Sequence, residues 1–247
     1  FRYILGNLKD NFLKTDFEKI NPNVLDELEQ YMLHKIFILN ENFHKNFKSY
    51  TFHNLYKELL NFCTVDLSAF YFDIRKDSLY CDDLNSERRK NCILVLNIIL
   101  ESLLKWFAPI LSFTTEEIFN LVNKDNDNSI HLEKFVKIPS KWKNQVLNEN
   151  WIKIKKIRDL ANISIENKRA SKVIGSSLEA KVKIKLNKKF YELAKNFDFA
   201  EICITSGAEI ILDEKLDNEI NVETIKAEGE KCKICWKIKK GKCERHG

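Results

Sequence analysis

Hydrophobic positions recur every three or four residues through the first half of the chain, then every second residue over one later stretch. Residues 23–48 carry Leu25, Leu28, Met32, Ile36, Leu39, Phe43 and Phe47 at helical spacing. Asn23 offers an N-cap ahead of them. Residues 52–72 continue the pattern with Phe52, Leu55, Leu59, Phe62 and Cys63. The strongest signal covers residues 87–107, where Asn97, Glu101 and Lys105 lie four apart. They leave one narrow polar stripe on an otherwise apolar cylinder, the pattern of a helix buried on most sides. Pro109 stops it. Thr114 and Glu117 make a capping box, which predicts the next helix from Thr114. Long helices with short connections predict a bundle, closed by the polar run KDNDNS at 124–129.

Beyond an irregular segment, HLEKFVKIPSKW, a basic helix is expected over 144–170. The period then changes. In LEAKVKIKL, Leu178, Ala180, Val182, Ile184 and Leu186 alternate with Glu and Lys, which predicts a strand with one wet, basic face. Residues 190–197 predict a short helix, 201–211 a strand–turn–strand around Ser206 and Gly207, and 219–228 a further strand. The fold class that follows is mainly α: a helical bundle, a small α/β unit, and a C-terminal cysteine-rich knuckle.

Composition narrows the class. The 247 residues include only 6 Gly and 3 Pro, which argues against a turn-rich β-sandwich. The apolar segment 92–108 is too short to span a bilayer and carries Glu101 and Lys105, so no membrane partner is expected and the chain is placed in the cytoplasm. Seven cysteines, an odd number, suit reduced thiols and a metal better than disulfides. Charge is blocked. Residues 137–189 carry 15 Lys+Arg against 4 Asp+Glu, and residues 231–247 carry 7 against 1. Residues 1–125 carry 15 against 18, so the positive charge is concentrated in two places. Such blocks suit a polyanion, foremost nucleic acid; a solvated lysine-rich surface is the competing explanation.

The tail carries the clearest chemistry. Cys232 and Cys235 form a Cys-x-x-Cys pair, and Cys243 and His246 form a second pair at the same spacing. Two such pairs can place four soft or borderline ligands around one tetrahedral Zn²⁺. Four protein ligands leave no open position, so the site would be structural and would hold together a tail too short for its own core. Without His246, the set reduces to three cysteines. No catalytic constellation is evident. His34, His44, His53 and His131 have no nucleophile arrangement beside them, and Cys63, Cys81 and Cys92 are expected as core thiols.

Several stretches, in order along the chain, resemble the C-terminal part of bacterial isoleucyl-tRNA synthetases, which are class I aminoacyl-tRNA synthetases. They are FRYILGNLKDNF at 1–12, NFCTVDLSAFYFDIRKDSLYCD at 61–82, APILSFTTEEIF at 108–119, RASKVIGSSLEAKV at 169–182 and KAEGEKCKICW at 226–236. Valyl- and leucyl-specific families share parts of these patterns; the terminal knuckle favours the isoleucyl family. The resemblance implies a helical anticodon-binding domain at 1–125, a junction with a small α/β unit at 126–225, and a zinc module at 226–247. It implies isoleucine-accepting tRNA as partner and a structural Zn²⁺. In that family the last ligand is a cysteine, and His246 stands in its place. The family's ATP-binding signatures, His-Ile-Gly-His and Lys-Met-Ser-Lys-Ser, do not occur here. ATP and catalysis are therefore expected in an upstream catalytic domain of the same, monomeric polypeptide, and this chain alone is expected to be inactive. A freestanding tRNA-binding protein of the same family is the alternative, and a zinc-finger DNA-binding module is a third, more distant reading.

Candidate phosphate contacts are Lys153, Lys156, Arg158, Lys168, Arg169 and Lys172 on or just after the basic helix, with Arg75, Lys76, Arg88 and Arg89 in the bundle. In the bundle, surface pairing with Asp73, Asp77 and Glu87 is the competing explanation. Trp142, Trp151 and Trp236 suit base stacking by type, against core packing as the alternative for each.

Overall fold

The computed structural model describes residues 1–9, 12, 14–123, 128–216 and 219–246. Residues 124–127 of the expected closing run lie outside the described residues. The chain divides into two compact units, Phe1–Gln145 and Val146–Gly247. No helix among the described residues is long and apolar enough to cross a membrane.

The first unit is the expected bundle. Its helices are α1 (Arg2–Leu8), α2 (Glu27–Lys48), α3 (Phe52–Asn61), α4 (Phe72–Cys81), α5 (Glu87–Phe107) and α6 (Ser112–Val122). Helix α5 runs through the core as its single polar stripe required: Val95, Leu96, Ile98, Ile99, Leu100 and Trp106 are all sealed from solvent. Trp106 satisfies its indole by donating to Asn40 Oδ1 at 3.2 Å.

Between α3 and α4 the chain does not break. Phe62–Tyr71 winds as a π-helix, so residues 52–81 are one continuous rod. Inside it Asp66 and Leu67, then Phe70 and Tyr71, are buried four residues apart. That spacing exceeds the 3.6 residues of an α-helical turn and suits the wider winding of i to i+5 bonds. The inward face continues on α4 through Ile74, Arg75, Ser78 and Leu79.

Three expected boundaries are corrected. Asn23 does not cap α2. Asn21 caps a 3₁₀ turn at Pro22–Val24, and α2 begins at Glu27 after Asp26. The Asp26 carboxylate makes no cap bond and instead lies 3.6 Å from Arg75 Nη2. Helix α6 starts at Ser112, ahead of the Thr114–Glu117 box. Backbone bonds from Ile110 and Leu111 to Phe107 O close the turn after α5, so the chain re-enters helix two residues early. Residues 201–206 do not form a strand. The Asp198 side chain accepts from the N–H groups of Ala200 and Glu201, starting the short helix α9 (Phe199–Ile202) in their place.

The second unit packs α7 (Gln145–Ala170) with a three-stranded sheet in the order β2-β1-β3. Strand β1 (Ala180–Leu186) pairs in parallel with β2 (Gly207–Leu212) and antiparallel with β3 (Ile220–Lys226). The parallel connection runs through α8 (Lys188–Ala194) and α9, as parallel strands require. Ala180, Val182, Ile184 and Leu186 are fully buried while Lys181, Lys183 and Lys185 face outward, as the alternation predicted. A two-stranded hairpin, β4 (Glu230–Lys231) with β5 (Ile238–Lys239), forms the tail.

Candidate metal centre and nucleic-acid interface

The hairpin presents the cysteine pairs. Gly229 opens it at φ 129°, a conformation that side chains disfavour, and a Cβ there would run into Lys239 O. Lys237 O accepts from Cys232 N at 2.9 Å, and Cys232 O accepts from Trp236 N at 3.0 Å. These bonds curl residues 232–236 into a tight knuckle. A matching turn joins His246 N to Cys243 O at 3.0 Å.

The four donor atoms converge, all within 4.8 Å of one another. Cys235 Sγ lies 3.9 Å from Cys243 Sγ. His246 Nδ1 lies 3.6 Å from Cys232 Sγ and 3.5 Å from Cys243 Sγ. Zinc–ligand bonds of about 2.3 Å to sulfur and about 2.05 Å to nitrogen imply tetrahedral edges of about 3.8 Å (S–S) and about 3.6 Å (S–N). Those three separations match the edges, and 3.9 Å is nearly twice a disulfide bond of about 2.0 Å. The set therefore fits a structural metal.

The electrostatics agree. Backbone N–H groups of Cys235 and Ile234 point at the Cys232 sulfur and hold its thiol down at about 6. The Arg245 N–H does the same for Cys243, lowering it. Burial pushes Cys235 up to about 11, against the N–H of Lys237. Thiolate is the ligand form, so two of the three sulfurs are already biased toward it. The tail is also tied to the sheet. Ser206 Oγ donates to Leu178 O and accepts from Ile238 N at 2.6 Å, bridging the turn before β2 to β5.

The candidate RNA contacts separate into two groups. Two are interior. Arg75 is 3% exposed, and its Nε donates to Glu29 Oε1 at 2.7 Å. Glu29 is sealed from solvent and also accepts from the Tyr71 hydroxyl at 3.1 Å and the Cys92 thiol at 3.6 Å. Arg158 is buried and donates from Nε to Ile202 O at 2.9 Å. Both correct the expectation of a phosphate contact: their guanidinium groups are spent on buried acceptors.

The rest reach solvent. Lys156 and Arg169 are exposed on α7, in surface pairs with Glu219 at 2.9 Å and Glu166 at 2.7 Å. Lys153 and Lys168 are half-buried on the same helix, and Lys172 is exposed just past its end. In the bundle, Lys76 pairs with Asp73 at 2.7 Å, Arg88 lies 3.8 Å from Asp82, and Arg89 donates to Asp82 O at 2.8 Å. Of the acids weighed for these three, Asp73 takes Lys76; Arg88 instead faces the Asp82 carboxylate, and Arg89 the Asp82 backbone carbonyl. The tryptophans also divide. Trp142 packs on Phe17 at 5.4 Å and Trp151 on Phe197 at 5.4 Å, both buried. Trp236 is 58% exposed, in left-handed backbone at φ 62°, with Lys231 Nζ 5.4 Å from its ring centre.

His34 Nδ1 accepts from Asn144 N at 3.0 Å, and burial lowers its pKa. Cys92 is interior as expected, while Cys63 and Cys81 are only half-buried.

A bundle of this kind, carrying a basic α/β unit and a cysteine–histidine cluster, has clear relatives. Residues 29–184 match the family described as the anticodon-binding domain of tRNA ligase, and the chain belongs to that family. It is 65% identical over 246 residues to the isoleucine--tRNA ligase of Pelagibacter ubique, covering 100% of this chain and 27% of that protein. The isoleucine--tRNA ligases of Bartonella quintana and Agrobacterium fabrum are 38% and 37% identical, each covering 96% of this chain. The chain spans about a quarter of the length of these relatives. The resemblance to the isoleucyl family is borne out by these matches.

Proposed function

We propose that this chain is the tRNA-holding portion of an isoleucine--tRNA ligase, working in the cytoplasm as part of a monomeric enzyme. It grips isoleucine-accepting tRNA while the rest of the polypeptide binds ATP and joins isoleucine to the tRNA. Residues 1–125 serve as the anticodon-binding bundle, 126–225 as a basic junction, and 226–247 as a zinc module. The observation that carries the reading is the 65% identity to an isoleucine--tRNA ligase along the whole chain. The exposed cations of α7 and its end support it physically, because phosphate contacts supply most of the affinity for nucleic acid.

Cys232, Cys235, Cys243 and His246 hold one Zn²⁺ in this reading. The metal supplies no reaction chemistry, since four protein ligands fill its coordination; it fixes the tail in one shape. That shape carries Trp236, and with it a cationic neighbour, into solvent.

The test is filter binding of isoleucine-accepting tRNA at stepped salt. Five phosphate contacts, four on α7 and Lys172 just past its end, predict a log–log slope of about −3 or steeper. Substituting Lys153, Lys156 and Lys168 together by Gln should flatten it by about 2. Retention of tRNA that does not respond to salt would overturn the reading.

A further inference from the structure

Near the end of α2, one stretch runs against the charge of its surroundings. Between Glu41 and Glu58, residues 42–57 hold Lys45, Lys48 and Lys57 and no Asp or Glu, within a region, 1–125, where acids outnumber bases by 18 to 15. The same stretch exposes rings. Tyr50 is 80% exposed, Phe52 46% and Tyr56 45%. Phe52 and Tyr56 lie one helical turn apart on α3.

Tyr50 sits where a helix usually ends in glycine. Thr51 N returns to Asn46 O at 2.9 Å, and Tyr50 N to Phe47 O at 3.2 Å. This closing pattern requires a left-handed residue, and Tyr50 supplies it at φ 56°. An aromatic residue there is strained relative to glycine, and its ring gains no burial in return. Thr51 Oγ1 fixes the turn by donating to Asn46 Oδ1 at 2.9 Å. The Tyr50 ring stands edge-on to Phe52 at 6.1 Å, and Phe52 in turn stands edge-on to Phe47 at 5.9 Å. Phe47 is anchored against Phe135 at 5.1 Å. The array is rigid at its base and open at Tyr50.

We propose that Tyr50, with Phe52, Tyr56 and the flanking Lys45, Lys48 and Lys57, is a stacking platform for unpaired nucleotides of RNA. Rings offer faces to bases, and lysines meet the phosphates between them; the nearest carboxylate in sequence, Glu58, is held by the Asn46 amide at 3.3 Å. The inference rests on the tRNA-binding reading above and locates a second contact surface on the bundle.

Tyr50→Gly tests it, because glycine suits the backbone and keeps the fold. The variant should melt at or above the temperature of the unsubstituted chain, yet bind isoleucine-accepting tRNA about tenfold more weakly or worse. Its salt slope should be unchanged, since no phosphate contact is lost. Tyr50→Phe should retain affinity, and Lys48→Gln should flatten the slope by about one unit or slightly less. Full affinity in Tyr50→Gly, with the unsubstituted chain binding normally, would overturn the platform and leave the tRNA reading standing. So would Tyr50-dependent binding to phosphatidylserine vesicles with RNA binding unaffected, or loss of affinity in Tyr50→Phe. No tRNA binding by the unsubstituted chain would remove both.

Discussion

The bundle and the tail solve the same problem by opposite means. In α5 alone, Val95, Leu96, Ile98, Ile99, Leu100 and Trp106 are fully sealed. Between residues 230 and 246, Cys235 and Cys243 are the only buried residues. Apolar burial contributes roughly 25 cal/mol per Å², so a segment that buries almost none cannot order itself. With the proposed Zn²⁺ bound, four converging donors supply what the missing core does not. In that reading the same chain is stabilised diffusely in one region and at a single point in the other.

The largest effect should come from that single point. Metal binding in small zinc modules is worth about 10–16 kcal/mol at neutral pH. Cys243→Ala should drop bound zinc from one per chain to near zero by elemental analysis, while helical circular dichroism from the bundle barely changes. A parallel loss of helicity would blur the contrast.

Next comes the polar centre of the bundle. Arg75→Ala strands Glu29, which is fully sealed and accepts from three partners. Breaking such a buried pair costs about 3–5 kcal/mol. Denaturant unfolding should register that loss, with zinc content unchanged. If Arg75 were a phosphate contact, the variant would instead keep its stability and lose tRNA affinity.

A smaller effect is expected at Ser206, which links the tail to the sheet. Ser206→Ala removes both bonds and leaves Ile238 N and Leu178 O short of a partner, at about 1–3 kcal/mol. Competition with a chromophoric chelator should show weaker zinc retention, with the bundle's unfolding midpoint unmoved.

The smallest is a surface-edge ion cluster. Burial raises the pKa of Glu133, but Lys105, Lys14 and the Asn128 amide together outweigh it, and its pKa lies below the ordinary value. Such a group stabilises the fold above its unfolded pKa of about 4.3 and loses that contribution as pH falls through the lower, folded value. Glu133→Gln should therefore destabilise by at most about 1 kcal/mol at pH 7, with the difference shrinking as pH falls through the lowered folded value.

The regions also differ in how they could be read from sequence. The span of α5 and the inner face of β1 were legible because each is a local periodicity, 3.6 or 2, uninterrupted over several turns or residues. The metal cluster was legible because ligand spacing is itself the chemistry. The starts of α2 and α6 were not, because cap side chains have competing partners: Asp26 reaches toward Arg75, and backbone bonds pre-empted the Thr114 box. The π segment hides in an apolar run whose period of four passes for an imperfect α-helix. Arg75 and Arg158 were misjudged for a related reason. Their acceptors lie 46 and 44 residues away, and nothing local distinguishes a buried arginine from one facing RNA. Tyr50 carried no sequence signal either; its left-handed backbone shows only in three dimensions.

Hydrogen exchange of the zinc-loaded chain, before and after a strong chelator, tests the central contrast most directly. The account predicts that amides protected in the tail, among them Cys232, Trp236 and His246, exchange freely once metal is removed, while those of α5 remain protected. Tail amides that stay protected without metal would contradict it.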